Sequence, residues 1–337
     1  MSWMQNLRSY FNRTPTVNTQ LGTPATVQFS NGHALVIGVG ADLPNTVQDA
    51  NGIAAILRDP TRCGYPVRQV LELTAERTSR TNLLSSFTGF SKSTTVDSTA
   101  VIYFSGHGYR VSGEYFWLPF GYDLKQLETT AISGREFSDF LNSITAKKLL
   151  VLLDCCHAGG LESAKLPGRA VEKAPVPLSS DVLDRGRGRV WIASSQANEI
   201  SLAGRPYSAF TLALIEALSG QGNARQDGYV RIADLAGYAR EIVPRRTRNR
   251  QHPILSFEEA NNFEVAYYAA GAKESKGVPF DQEPEIEIEP GNWARVINYQ
   301  PNWQVGQLNR AERDQHITIG SVGTIGFSQP DRKPTKD

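Results

Sequence analysis

Cysteine is scarce in this chain: Cys63, Cys155 and Cys156 are the only three in 337 residues, and two of them are adjacent. Such a set makes a poor disulfide framework and fits a reducing compartment. Long apolar runs are also missing. No stretch reaches the roughly 20 residues that a bilayer span needs, and Met1 to Thr14 lacks the apolar centre of a secretory signal. A cytoplasmic chain with no membrane partner is expected. Neither sign of charge dominates, since 35 Lys and Arg against 34 Asp and Glu leave +1. No overall field therefore points to nucleic acid as a partner. Gly38-Val39-Gly40 follows an apolar run, yet no GxGxxG or GxxxxGK(S/T) completes it, which weakens a nucleotide-binding reading.

What the chain does have is 40% hydrophobic residues, enough for a sizeable core, arranged in short runs. Leu149 to Leu153 and Ala100 to Phe104 are apolar without alternation, the pattern of parallel strands buried on both faces. Ala34 to Val39, Val67 to Leu73 and Val190 to Ser194 read as further strands. Helical patterns fall between them at Val47 to Arg58, at Arg80 to Gly89 with Ser79 as N-cap, and after Ser133. Others follow at Ser208 to Leu218 and Ile232 to Ile242, and Tyr115 to Pro119 suits a short hairpin arm. This alternation predicts an α/β fold, a mostly parallel sheet with helices on both faces.

The reactive residues sit just past two of the strands. Ser105-Gly106-His107-Gly108 ends one run, and Asp154-Cys155-Cys156-His157-Ala158-Gly159-Gly160 ends another, at the strand end where open α/β sheets hold their ligands. A thiol with a reference pKa of about 8.5 is only a few per cent thiolate at neutral pH, so it needs a base. An imidazole beside it takes the proton and later returns it to a leaving amine. The N–H groups of Gly108 and of the cysteine itself are candidates to hold a developing oxyanion. Asp154 stands two residues before Cys156, so on an extended strand the two share a side. A carboxylate there would favour Arg or Lys before the scissile bond.

These two motifs, in this order and 49 residues apart from histidine to cysteine, resemble the catalytic motifs of metacaspases and bacterial orthocaspases, the caspase-like cysteine peptidases. The resemblance implies Cys156 as nucleophile and His107 as base. It implies Asp154 as the acid that binds a basic side chain, where caspases use basic residues to bind aspartate. A second acid usually helps in that family, and Glu199, in Ser194-Ser195-Gln196-Ala197-Asn198-Glu199, is the candidate. Asp49-Ala50, Cys63-Gly64-Tyr65, Phe210-Thr211 and Gln251-His252-Pro253 resemble family landmarks in order, so the likeness covers about Asn31 to Tyr268.

The segment from Gly160 to Arg189 carries three prolines and six basic residues without a long apolar run, the composition of an exposed loop. It resembles the loop cut during maturation in the family. The resemblance thus implies an Arg/Lys-directed endopeptidase acting on protein substrates, a zymogen processed by itself or by an upstream protease, and allows a part in bacterial defence, including antiviral defence, or cell death. Many metacaspases need calcium. Here Asp97, Asp123 and Asp139 are scattered and form no EF-hand-like loop, so the expected cofactor is none, with calcium left open.

Three competing readings carry less weight. A zinc site from Cys155, Cys156, His157 and His107 suffers from adjacent cysteines diverging on a strand. A catalytically idle caspase-like adaptor fits poorly with both His107 and Cys156 present. The nucleotide-binding reading lacks its motif. Around the peptidase domain, taken as 31–268, the sequence reads as an N-terminal helix and linker over 1–30, a linker at 269–291, and a small β-rich region at 292–337.

Overall fold

The computed structural model describes residues 28–111, 114–156, 171–172, 188–196, 199–223, 225–257, 262–289 and 291–295. The proposed N-terminal helix, almost all of the 160–189 loop and nearly all of the 292–337 region lie outside them. The described residues fall within the first of two units, Met1–Ile297.

Fourteen strands form among the described residues: β1 (Gly32–Gly38), β2 (Val70–Thr74), β3 (Thr99–Val111), β4 (Glu114–Trp117), β5 (Ile132–Ser133), β6 (Lys148–Cys156), β7 (Val171–Glu172), β8 (Arg189–Ala193), β9 (Gly204–Arg205), β10 (Tyr229–Arg231), β11 (Ile254–Phe257), β12 (Glu264–Tyr267), β13 (Glu285–Glu289) and β14 (Asn292–Arg295). The helices are α1 (Asn45–Arg58), α2 (Arg80–Ser93), α3 (Leu127–Thr130), α4 (Gly134–Ser143), α5 (Ala209–Leu218) and α6 (Ile232–Arg246). The main sheet runs in the order β11, β8, β6, β3, β1, β2. Its five strands from β8 to β2 are parallel, and β11 closes the far edge antiparallel.

The unbroken apolar runs are explained by what covers them. Val101, Tyr103, Leu150 and Leu152 pack with α1, α5 and α6 in one core, while Ala100, Ile102, Leu149, Val151 and Leu153 pack with α2 and α4 in the other. Successive residues of a strand face opposite layers, so both must be apolar. Each large side chain so buried contributes about 1.5–3 kcal/mol of transfer free energy. All ten residues of α5 are buried, and Ser208 caps it by accepting from the Thr211 N–H at 3.0 Å. Ser133 and Glu136 form a reciprocal capping box on α4. Ser79 stands at the N-cap position of α2 but makes no side-chain cap bond.

The segment read as a linker at 269–291 contains β13, which pairs with β14 and β9. Its alternation has a direct cause: Ile286 and Ile288 are buried in the α1/α5/α6 core, and Glu285, Glu287 and Glu289 are not.

Candidate active site

β3 and β6 lie side by side in parallel, and their register pairs Ser105 with Asp154, Gly106 with Cys155, and His107 with Cys156. The two sequence motifs are thus neighbours, brought to the carboxyl edge of the sheet on adjacent strands. Alternation puts positions 105, 107 and 154 on the α1/α5 side. Cys155 goes to the opposite side, where it joins the α2/α4 core.

This alternation explains the glycines of the histidine motif. A Cβ at Gly106 would sit 2.7 Å from Val39 Cγ2, and one at Gly108 would sit 1.7 Å from Tyr115 Oη. Both positions are glycine because the crowded face leaves no room for a side chain. Beyond His107, β3 pairs antiparallel with β4, and the Leu118 N–H donates to the His107 carbonyl at 3.0 Å. Since antiparallel pairs alternate between bonded and unbonded, the Gly108 N–H points away from β4.

Asp154 is fully buried. Its carboxylate accepts from the hydroxyls of Ser201 (2.6 Å), Ser208 (2.5 Å) and Thr211 (2.9 Å). A second acid, Asp49 of α1, is 1% exposed and accepts from the Ser208 N–H at 2.8 Å and the Ser105 hydroxyl at 3.4 Å. Ser208 therefore bridges the two carboxylates. Among the described residues no cation pairs with either of them. Burial, and then the neighbouring Asp154, hold Asp49 well above the usual carboxylate range, against the pull of the Ser208 N–H and Ser105 hydroxyl.

Asp49 is the residue that sequence reasoning passed over, naming it as a landmark without a role. The signal was there: the buried positions of α1 include Thr46, Asp49, Ala50, Ile53, Ile56 and Leu57, so a charged residue stands on the apolar stripe. Glu199 has another engagement. It accepts from the His252 N–H at 2.7 Å and from His252 Nδ1 at 2.6 Å, closing the loop after β8. The adjacent Gln251 is buried and ties that loop down, donating to the Ser194 carbonyl and the Ser201 hydroxyl and accepting from the Leu202 N–H. Among the described residues Glu199 reaches Asp154 through this chain of contacts, whereas Asp49 shares Ser208 with it.

The two remaining cysteines are poor nucleophiles. Burial pushes the Cys155 thiol up to about 12 and raises the Cys63 thiol further. His107 is 2% exposed, and its Nε2 lies 2.9 Å from Asp42 Oδ2 in the turn between β1 and α1.

A histidine and a cysteine in register on adjacent parallel strands, over buried acids, define the class: an α/β thiol-hydrolase scaffold. The family model for the caspase domain matches residues 31–263, and the chain belongs to that family of caspase-like cysteine peptidases. No curated protein matches it. Among solved structures it is similar to a crystal structure of a Geobacter sulfurreducens protein, at 18% identity and a TM-score of 0.45, over 67% of this chain and 92% of that one. No helix among the described residues is long and apolar enough to cross a membrane.

Proposed function

We propose that the chain is an endopeptidase of the metacaspase or orthocaspase type that cleaves proteins after Arg or Lys. The observation that carries this is the pair Asp154 and Asp49, two buried acids with which no cation among the described residues pairs, linked through Ser208 near the strand ends that hold the His107–Cys156 register pair. An unpaired acid pair inside a protein is costly. A guanidinium or ammonium from a substrate repays that cost and brings the following carbonyl to position 156. Asp154 and Asp49 form the base of this pocket, and Ser105, Ser201 and Ser208 supply its hydroxyls. Glu199 acts at one remove, by holding the loop that carries Ser201.

In the reaction the Cys156 sulfur adds to the carbonyl carbon while its proton passes to His107. The N–H groups of Gly108 and Cys156 take the oxyanion, and the tetrahedral adduct collapses to a thioester as His107 protonates the leaving amine. Water, deprotonated by His107, then releases the acid and restores the thiol. The charge on the pocket excludes aspartate as the preferred residue, because a third carboxylate would face the two already there.

The 160–189 loop follows the nucleophile directly and offers Lys165, Arg169, Lys173, Arg185 and Arg187, whereas Arg189, read with the loop from the sequence, is buried at the start of β8 and donates to the Leu141 and Ile144 carbonyls. The loop is the proposed processing segment, cut by the enzyme itself or by an upstream protease, and a part in bacterial defence or cell death follows from the resemblance alone. Incubated alone, wild-type protein is expected to convert from one band to fragments joined at this loop and to hydrolyse peptidyl-arginine in preference to peptidyl-aspartate reporters. Cys156→Ala should do neither. Hydrolysis of the aspartyl reporter, or identical bands for both proteins together with no arginyl hydrolysis, would reject the reading and favour an idle adaptor.

A further inference from the structure

We infer that Asp42 is the third member of the catalytic set, a positioning residue that orients and electrostatically supports His107; the inference rests on the peptidase reading above. The contact is direct, with Asp42 Oδ2 at 2.9 Å from His107 Nε2. A carboxylate near neutral pH only accepts hydrogen bonds, so the proton of the neutral imidazole sits on Nε2. The lone pair is then on Nδ1, and Nδ1 is the atom that takes the thiol proton. When it does so, the imidazolium forms against an anion already in place.

The turn that presents Asp42 is built to hold it still. Gly40 and Ala41 both take positive φ, +69° and +56°, a conformation that is unfavourable for alanine and persists where surrounding contacts impose it. Those contacts are present. The Leu43 N–H donates to the Gly40 carbonyl at 2.9 Å, the Gly40 N–H donates to Thr46 Oγ1 at 2.8 Å, and Thr46 Oγ1 donates to the Leu43 carbonyl at 2.8 Å. Thr46 is itself buried in the first turn of α1. The base of the turn is fastened to the histidine strand, since the Val39 N–H donates to the Ser105 carbonyl at 3.0 Å. Carboxylate and imidazole are therefore carried by two parallel neighbours, β1 and β3, with a strained clamp between them.

The two partners differ in exposure, 2% for His107 against 51% for Asp42. Solvent screens the charge of Asp42, so its effect should resemble that of a supporting partner, roughly 10- to 100-fold, rather than the larger losses that follow removal of a buried triad aspartate. The same exposure makes substitutions safe for the fold.

The test uses the full chain and an arginyl peptide substrate. Asp42→Asn, which keeps an acceptor oxygen but loses the charge, should lower kcat about 10- to 100-fold with KM within twofold of wild type and an unchanged melting temperature. Asp42→Glu, which restores the carboxylate, should recover most of that loss. A kcat within twofold of wild type in Asp42→Asn, or a raised KM with kcat intact, overturns the inference and leaves the peptidase reading standing, provided His107→Ala and Cys156→Ala are inactive. A wild-type protein as inactive as those two variants overturns both.

Discussion

Replacing Asp154 by Asn should reduce kcat/KM for peptidyl-arginine substrates by about 200- to 5,000-fold. The magnitude follows from removing one partner of a buried ion pair, worth roughly 3–5 kcal/mol, at about 1.36 kcal/mol per tenfold change. Asn is the informative substitution because it preserves the shape that three hydroxyls require. Ser201, Ser208 and Thr211 all donate to Asp154, and Ser208 also caps α5. Alanine would leave those buried hydroxyls without their acceptor at about 1–3 kcal/mol each and would confuse lost specificity with lost folding. The reactive thiol should survive in Asp154→Asn: labelling by a small uncharged alkylating agent is expected at near the wild-type rate. Equal losses of arginyl hydrolysis and of labelling would instead make Asp154 a structural residue.

The second large effect has opposite signs in two assays. Asp49→Asn should lower arginyl kcat/KM by about 100-fold, since the pocket loses one of the two carboxyl groups that a substrate cation would draw into the charged form, and should make the protein more stable. Burial and Asp154 raise the folded-state pKa of Asp49. A carboxyl raised in this way contributes stability that is fully present below its unfolded pKa of about 3.9 and is lost as pH rises through the folded value. The wild type therefore gives up stability from about pH 4 upward on account of this group, and the variant does not. Asn keeps an oxygen for the Ser208 N–H. The gain in melting temperature should vanish near pH 4 and grow as pH rises through the folded-state pKa of Asp49. A gain independent of pH, or a loss that grows with pH, would contradict the buried-acid account. Stability given up at a site for the sake of binding is the pattern expected where function conflicts with folding.

The difference between what the chain states and what it conceals can be seen in three acids. The burial of Asp154 was legible because it continues an unbroken run on one strand, where the period of 2 decides its side. Strand ends were legible for a similar reason, as runs such as Leu149 to Leu153 change character abruptly at Asp154. Asp49 needed more, because α1 packs across β1 and β3 and closes a gap of 105 residues in sequence to Asp154. Only its place on an apolar helical stripe hinted at a buried role. Glu199 looked suitable by its position after β8, but a loop residue has no period to fix its direction, and His252, arriving from the segment after α6, takes both of its oxygens. Asp42 lies in the turn between β1 and α1. Its partnership with His107 depends on the positive φ of Gly40 and Ala41, which residue identity announces for the glycine and not for the alanine.

The glycines of the histidine motif teach the same lesson from packing. Gly108 was read for its N–H as an oxyanion donor, and the structure shows Tyr115 occupying the space that its missing side chain leaves. One residue can satisfy both demands, since its N–H points away from β4 while its α-carbon faces Tyr115.

The central claim is that position 156, in register with His107, carries the one activated thiol of this chain. Treating the full-length protein with a peptidyl-arginyl chloromethyl ketone and locating the adduct by mass spectrometry tests it most directly. A thiol held at about 12, as Cys155 is, exists as thiolate at only about 1 part in 10⁵ at pH 7, so a single adduct on Cys156, absent from His107→Ala, is the predicted result. An adduct on Cys63 or Cys155, or labelling of Cys156 that ignores the loss of His107, would contradict it.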